Sequence, residues 1–253
     1  MSARPERIVL VTGAGSGIGA AVCARLAAPG TALLIHTGTH RERAEAVAGL
    51  CASKGAMCHV ETGDLAEGEV ATRLVGRAAE RFGGLDILIA NAGFADGRSL
   101  GAIDEAGFRR SIEVIVMGLF RLVSAAQPHI QASPGGRIVT VSSFLAHVFR
   151  LGGRTFPASA TAKAGIEGLT RSLAAELAPS GATVNCIAPG YVQKDADTHS
   201  SMDEQGWREA VARVPLARLG KPDEVAAMAA FLAGPDGAYV TGQTIHVDGG
   251  LTL

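Results

Sequence analysis

Short apolar runs alternate along the chain with longer segments whose apolar residues recur at helical spacing. Seven short runs predict strands, and they are RIVLVTG, TALLIHT, AMCHVETGD, LDILIANAG, GRIVTVSS, ATVNCIAPG and QTIHVDGG. The segments between them predict helices over residues 20–28, 41–54, 69–82, 108–131, 160–177 and 222–232. Several strands are apolar throughout, which indicates burial on both faces. The alternation predicts a three-layer α/β fold, in which a doubly wound sheet of about seven parallel strands lies between helices.

One segment departs from this alternation. Residues 193–214 are mostly polar, directly follow a predicted strand and contain Trp207, the only tryptophan of the chain. Loops at strand ends often carry binding residues, so we interpret this segment as a lid-like insertion over a pocket. No proline-, glycine- or serine-rich linker and no internal repeat divides the rest, which predicts a single domain over residues 1–253.

Composition limits the classes of partner. The formal net charge is −1 and both signs are mixed along the chain, so we expect neither nucleic acid nor a membrane surface as partner. The cysteines, Cys23, Cys51, Cys58 and Cys186, form no C-x-x-C pair, which argues against a metal site. The amino-terminal residues lack a long apolar segment, and no apolar stretch reaches about 18 residues. These features predict a cytoplasmic protein that acts on a small molecule.

A glycine-rich turn follows the first predicted strand. The sequence VLVTGAGSGIG places Gly13, Gly17 and Gly19 before the first helix, where backbone amides and the positive end of the helix dipole can bind a phosphate. The spacing is G-x-x-x-G-x-G rather than G-x-G-x-x-G. Glycine in such turns also has purely steric uses, so the turn alone leaves a structural role open.

Four further motifs stand at the ends of later strands. GDL (63–65) follows the third strand, NAG (91–93) the fourth, SS (142–143) the fifth and PG (189–190) the sixth. In open α/β sheets, ligands bind at the carboxyl ends of the parallel strands. The motifs therefore predict one binding site along that edge of the sheet.

The chain carries these motifs in order: T-G-x-x-x-G-x-G, D-L, N-A-G, S-S, a helix lysine, P-G-x-V and a terminal VTGQTIHVDGG. This order resembles the short-chain dehydrogenase/reductase family over nearly the whole chain, and in particular its 3-oxoacyl-acyl-carrier-protein reductase-like members. The resemblance implies a Rossmann-type fold, a nicotinamide dinucleotide cofactor and a homotetramer or homodimer. It implies cofactor contacts at Gly13, Ser16, Gly17, Ile18, Gly19, Asp64, Leu65, Asn91, Ala92, Gly93, Lys163, Pro189, Gly190 and Val192. The resemblance implies that the glycine turn lines the pyrophosphate and that the D-L motif lines the adenine. It also implies that the N-A-G motif lines the ribose and the back wall of the cofactor site, and that the lysine binds the nicotinamide ribose.

The end of the second strand bears on the choice of cofactor. Family members that prefer NAD usually carry an acidic residue there, because a carboxylate accepts hydrogen bonds from the adenine-ribose 2′-hydroxyl and repels a 2′-phosphate. Here the position is Thr37, and the following GTHRER supplies His40, Arg41 and Arg43, whose positive charges suit a phosphate. We therefore expect NADP, with NAD as the alternative. Solvated cations at a helix start are the other interpretation of these residues.

In the family, a serine, a tyrosine and a lysine carry proton transfer, with the phenol as the acid and the lysine lowering the phenol pKa. Ser143 and Lys163 match this set. The two usual tyrosine spacings, four residues before Lys163 and thirteen after Ser143, give Ser159 and Phe156, so neither position holds a phenol. The intervening segment is about three residues longer than usual, and the spacing of Phe156 resembles that of the enoyl-acyl-carrier-protein reductase branch.

Two other departures concern the same relay. Ile115 stands where the family has a relay asparagine, and Lys194 where a threonine contacts the carboxamide. The proton relay is therefore predicted to be degraded while the cofactor contacts persist. Ser159, Tyr191 and His147 are the candidates to replace the phenol, and each also has a purely structural interpretation.

Two functions from different classes follow. The first is an NAD(P)-dependent oxidoreductase for a carbonyl/alcohol pair, or less favourably a conjugated C=C bond, with Ser143, Lys163 and Ser159 as catalytic residues. The second is a nucleotide-binding pseudoenzyme. A methyltransferase-like or flavodoxin-like protein would explain the alternating strands but not the joint order of the motifs.

Overall fold

A seven-stranded parallel sheet with the order β3-β2-β1-β4-β5-β6-β7 forms the centre of the molecule. In this computed structural model, residues 4–149, 155–193 and 204–253 are described. The strands are β1 Arg7–Val11, β2 Thr31–Thr37, β3 Met57–Thr62, β4 Ile87–Ala90, β5 Arg137–Val141, β6 Thr183–Pro189 and β7 Thr244–Val247. Every predicted strand is present, and all neighbouring pairs are parallel. The chain reverses its direction of winding between β1 and β4, which opens a crevice at their carboxyl ends.

Helices cover both faces of the sheet, which confirms the predicted three-layer α/β architecture. They are α1 Gly17–Leu26, α2 Arg41–Ser53, α3 Gly68–Phe82, α4 Glu105–Ser111, α5 Gly118–Ala132, α6 Pro157–Leu177, α7 Glu204–Ala212 and α8 Pro222–Ala233. The helix predicted over 108–131 is longer and is interrupted by a π-helical turn, Ile112–Met117. A π turn carries one residue more than an α turn, so it changes the direction of the side chains that follow.

Two apolar layers lie on opposite sides of the sheet. In β1, Ile8 and Leu10 pack with α3, α5 and α6, while Val9 and Val11 pack with α1, α2 and α8. This is the consequence of alternating side-chain direction in a strand whose two faces are both covered. The burial of every residue of β2 has the same origin.

One continuous helical run, Glu105–Ala132, has the length and mean hydropathy, 1.2, of a membrane-spanning helix by composition alone. Its apolar residues Leu119, Leu122 and Ile130 are buried in the core that covers the sheet. A core helix of a globular protein gives the same signal by composition, so this run is weak evidence for a membrane span.

The predicted insertion over 193–214 is described only in part. Residues 194–203 lie outside the described residues. The rest of the insertion contains α7, a helix that the sequence pattern does not predict. Ala210 and Val214 are buried, so this part packs against the domain. Its role as a lid remains a prediction.

Candidate active site

The end of β4 holds the glycine-rich turn in place. Asn91 Nδ2 donates hydrogen bonds to the carbonyl oxygens of Thr12 and Gly13, both at 3.0 Å. In return, Thr12 Oγ1 accepts the N–H groups of Asn91 and Ala92, both at 3.1 Å. Asn91 and Ala92 therefore lie against the glycine turn. Thr12 was missed, although it is the threonine of the T-G motif.

The glycines of the turn are required for different reasons. Gly13 has φ +64°, and a Cβ on it would lie 2.8 Å from Ala92 Cα. A Cβ on Gly19 would lie 2.3 Å from the Gly13 oxygen, so close packing excludes a side chain there. Gly17 has φ +53°, but a Cβ on it would enter open space. Ser16 is the N-cap of α1, and its side chain makes no capping hydrogen bond. Open space in front of a helix amino terminus is the environment that a pyrophosphate requires.

The two arginines after β2 differ in their surroundings. A Cβ on Gly15 would lie 3.1 Å from Thr37 Oγ1 and 3.6 Å from Arg43 Cβ, so Arg43 stands beside the glycine turn. Arg41 instead donates to Glu45 at 3.1 Å, along α2. Arg43 is therefore better placed than Arg41 for a group bound at the end of β2.

After β3, Asp64 is held by two donors. Its Oδ1 accepts the N–H of Ala66 at 3.0 Å, and Oδ2 pairs with Arg110 of α4. Burial raises the pKa of the Asp64 carboxyl, but the Arg110 guanidinium and the Ala66 N–H lower it by more, so the net pKa is below its usual value. Leu65 is buried beside Gly118 at the start of α5.

Lys163 joins the ends of β4 and β5. Its Nζ donates to the Val141 carbonyl at 2.7 Å, and a Cβ on Gly93 would lie 3.1 Å from Nζ. The pKa of the Lys163 ammonium is lowered to about 8, because burial disfavours the charged form; Cys186 and Glu167 act in the opposite direction. Lys163 Nζ therefore lies beside Gly93 of the N-A-G motif.

Ser143 lies two residues beyond the carbonyl that Lys163 binds. It is the N-cap of a short 3₁₀ helix, Phe144–Ala146, and its Oγ accepts the N–H of Leu145 at 3.3 Å. The hydroxyl proton is therefore available for another acceptor. Ser143 is partly exposed, as a group that meets a substrate must be.

The two positions that could have held the phenol lie at the start of α6. Ser159 is fully buried, and its Oγ accepts the N–H of Asp96 at 2.7 Å, which ties α6 to the loop after β4. Phe156 is half-buried and is the N-cap of α6, with a left-handed backbone at φ 50° and ψ 50°. This conformation is unfavourable for a bulky residue.

The remaining relay candidates have distinct surroundings. The ring of Tyr191 lies 4.5 Å from the ring of Phe144, next to Ser143 in sequence, whereas Tyr239 is fully exposed. His147 Nε2 is bound to Glu167 Oε1 at 2.9 Å. Ile115 is buried in the π-helical turn. Lys194 lies outside the described residues.

The segment after β6 is fixed on two sides. The Gly190 N–H donates to the Val247 carbonyl at 3.1 Å, and a Cβ on Gly190 would lie 2.7 Å from Asp248 Cα. Beyond it, Val192 forms an isolated parallel bridge with Gly220. The P-G-x-V motif, which begins at Pro189, is therefore rigidly placed at the same edge of the sheet. Among the described residues, no group of three His, Cys, Asp or Glu side chains could hold a metal ion.

Comparison with known proteins shows which family has this arrangement of motifs. A family model described as "Enoyl-(Acyl carrier protein) reductase" matches residues 13–252. The chain belongs to the short-chain dehydrogenase/reductase family. It is 39% identical to the cis-4-hydroxycyclohexanecarboxylate dehydrogenase of Sinomonas cyclohexanicum, over 98% of this chain and 97% of that one. It is 33% identical to the 3-oxoacyl-acyl-carrier-protein reductase FabG of Staphylococcus aureus, over 96% and 97% of the two chains.

A solved structure shows the same architecture. A short-chain dehydrogenase from Burkholderia cenocepacia J2315 in complex with NADP superposes with a TM-score of 0.89, at 34% identity, over 99% of this chain and 100% of that one. The family and the Rossmann-type fold implied by the motifs are therefore confirmed. The names of the relatives support an oxidoreductase.

Proposed function

We propose that the protein is an NADP-dependent oxidoreductase that transfers hydride between the nicotinamide and a carbonyl/alcohol substrate. The observation that carries this proposal is the position of Lys163 Nζ, between the end of β5 that leads to Ser143 and Gly93 at the end of β4. This point lies at the same edge of the sheet as the glycine turn. A conjugated enoyl substrate is the less favoured form of the same proposal.

The residues at this edge fit NADP. The turn offers open space beside Gly17 at the amino terminus of α1, where a pyrophosphate is stabilised by the helix dipole. The end of β2 presents Thr37 in place of a carboxylate, with Arg43 nearby, which favours a 2′-phosphate. The Burkholderia cenocepacia relative is described in complex with NADP, in agreement with this choice. NAD is the alternative cofactor.

The reacting groups have separate roles. When bound, NADPH supplies the hydride. The Ser143 hydroxyl donates a hydrogen bond to the substrate carbonyl oxygen and so orients it. The Lys163 ammonium, with a pKa of about 8, binds ribose hydroxyls and can hold or release a proton at Nζ near neutral pH. Ser159 is fully buried, so we assign it the weaker role of keeping α6 and the loop after β4 together.

The protonation of the substrate oxygen thus takes place without a phenol at either family position. A missing general acid typically costs about 10² to 10⁴ in rate and does not by itself abolish turnover. Tyr191 is the one phenol beside the Ser143 segment, through its contact with Phe144. It is the proposed substitute acid, with the wall of the pocket as its alternative role.

The competing proposal is a nucleotide-binding pseudoenzyme. It is favoured by the absence of a phenol at Ser159 and Phe156 and of an asparagine at Ile115. For the active enzyme we also propose a cytoplasmic location and a homodimer or homotetramer, with no nucleic acid or membrane partner.

The decisive experiment is NADPH binding followed by NADPH oxidation against ketones, diketones and enoyl thioesters. Cyclic ketones belong in the panel because one relative is named for a hydroxycyclohexanecarboxylate. We expect turnover that is lost in Ser143→Ala and retained in Ser172→Ala, an exposed serine on α6. Tight NADPH binding without turnover on any substrate would favour the pseudoenzyme.

A further inference from the structure

A buried carboxylate lies behind the reacting residues. Glu167 follows Lys163 by one turn of α6, and its side chain is only 7% exposed. A buried charge is costly unless hydrogen bonds compensate for the lost hydration. The reaction proposed above assigns no task to this group.

Two donors from one short segment meet the same oxygen of Glu167. Its Oε1 accepts Ser142 Oγ at 2.5 Å and His147 Nε2 at 2.9 Å. Ser142 Oγ also lies 3.2 Å from the Lys163 carbonyl oxygen. Because a hydroxyl has one proton, the shorter contact to the carboxylate is the one it serves.

These contacts bracket Ser143. On one side, the Ser142 N–H donates to the Ile187 carbonyl at 2.7 Å, which continues the sheet. On the other side, the turn that begins at Ser143 closes with the His147 N–H on the Phe144 carbonyl at 2.9 Å. Glu167 therefore binds both ends of the segment 142–147, with the Ser143 hydroxyl between them.

The segment is also supported from β7. The His147 ring packs edge-on against His246, with centroids 4.5 Å apart and planes at 75°. This contact limits the positions that His147 can take. The segment is thus held between α6 and β7 through His147, and between α6 and β6 through Ser142.

We propose that Glu167 is a positioning residue, whose carboxylate fixes the Ser143 segment to the helix that carries Lys163. The inference rests on the function proposed above. Its physical basis is that two reacting groups on different elements, a strand end and a helix, keep their separation only if those elements are joined. Small displacements of reacting groups lower rates by as much as about a hundredfold.

The test compares Glu167→Ala, Glu167→Gln and Ser142→Ala, with Glu176→Gln as the matched control. Glu176 is exposed on the same helix. We expect Glu167→Ala to lower kcat about tenfold or more, with the NADPH dissociation constant unchanged within about twofold. Glu167→Gln keeps an acceptor oxygen and should restore most of kcat. The double variant Glu167→Ala/Ser142→Ala should be no slower than the slower single variant, because the contact between Ser142 and Glu167 is already lost in each single variant.

A second readout does not depend on turnover. Amide hydrogen exchange over residues 142–149 should become faster in Glu167→Ala, while exchange over β5 stays unchanged. If the wild type shows no turnover, the proposed function fails, and this exchange experiment alone decides the inference. Unchanged exchange, or kcat within twofold of wild type in Glu167→Ala, would overturn it. If Glu167→Ala does not fold, Ser142→Ala takes its place in both readouts, with a lower kcat and faster exchange expected, and Glu167→Gln remains the variant that keeps the acceptor.

Discussion

Lys163 Nζ donates a hydrogen bond to the Val141 carbonyl oxygen, 2.7 Å away, and so ties α6 to the strand end that leads into Ser143. The lysine is 8% exposed, so its ammonium is costly to bury. Two predictions follow from this single group.

The first concerns the pH dependence of turnover. The pKa of Lys163 is lowered to about 8, so the ammonium loses its proton as pH rises through that value. If Nζ supplies charge and a proton during reduction, kcat/KM for NADPH-dependent reduction should fall above about pH 8. A pH–rate profile from pH 6 to 10 measures this, with the NADPH dissociation constant followed in parallel. A flat profile would show that Lys163 does not titrate in the reaction.

The second concerns stability. The folded-state pKa lies below the unfolded value, so the folded protein binds fewer protons than the unfolded chain between about pH 8 and 10.5. The free energy of unfolding of the wild type should therefore rise over that window, relative to Lys163→Met. The difference in unfolding free energy between wild type and variant should change by about 3 kcal/mol from pH 7 to pH 10.5, since one pKa unit corresponds to about 1.4 kcal/mol. Urea unfolding of both proteins at pH 7 and pH 10.5 checks this. A constant difference between them would contradict the shifted pKa.

Thr12→Val removes the acceptor that receives the Ala92 N–H while keeping the side-chain shape. An unsatisfied buried donor costs about 1–3 kcal/mol, so we expect a loss of stability of that size. NADPH binding should also weaken, because the hydrogen bonds between Thr12 and Asn91–Ala92, which we call the Thr12–Asn91 clasp, position the glycine turn. Thr72→Val on the exposed side of α3 is the control. Equal behaviour of the two variants would show that the clasp is dispensable.

Arg43→Ala should discriminate between the two cofactors. Its side chain starts beside Gly15 and Thr37, so its loss should weaken NADPH binding by about tenfold or more and leave NADH binding nearly unchanged. Arg41→Ala, which removes an exposed pair with Glu45, should affect neither. Fluorescence titration with both cofactors measures the difference. A larger effect at Arg41 would reverse the assignment.

The two positions that lack a phenol should tolerate tyrosine differently. Ser159→Tyr places a ring in a fully buried site and removes the acceptor of the Asp96 N–H, so it should cost at least about 2 kcal/mol. Phe156→Tyr adds one hydroxyl to a half-buried ring and should change stability by less than about 1 kcal/mol. Thermal unfolding distinguishes them. A gain in NADPH oxidation by Phe156→Tyr would identify that spacing as the functional one.

Much of the fold could be predicted because its signals are local. Strands such as β2 are apolar throughout, and parallel strands with covered faces require that pattern. The motifs at strand ends then fall along one edge by geometry. In contrast, α7 was not predicted, because it is only nine residues long and its sequence is largely polar.

Contacts between residues far apart in the sequence could not be predicted from the sequence. The Thr12–Asn91 clasp joins residues 79 positions apart, and neither sequence neighbourhood indicates its partner. Glu167 did carry a signal, since it lies four residues after Lys163 and so shares its helix face. Only the structure shows that its carboxylate binds Ser142 and His147.

The sheet also has a second rim, formed where the strands begin. The turns at residues 27–30, 54–56 and 134–136 lie there, separated from the glycine turn and from Ser143 by the length of a strand, about 16 Å for five residues. A tether, a fusion partner or a solid support attached at this rim would leave the cofactor entrance facing the solvent. Because all strands of the sheet run in the same direction, the edge suited to attachment lies opposite the edge that carries the candidate active site.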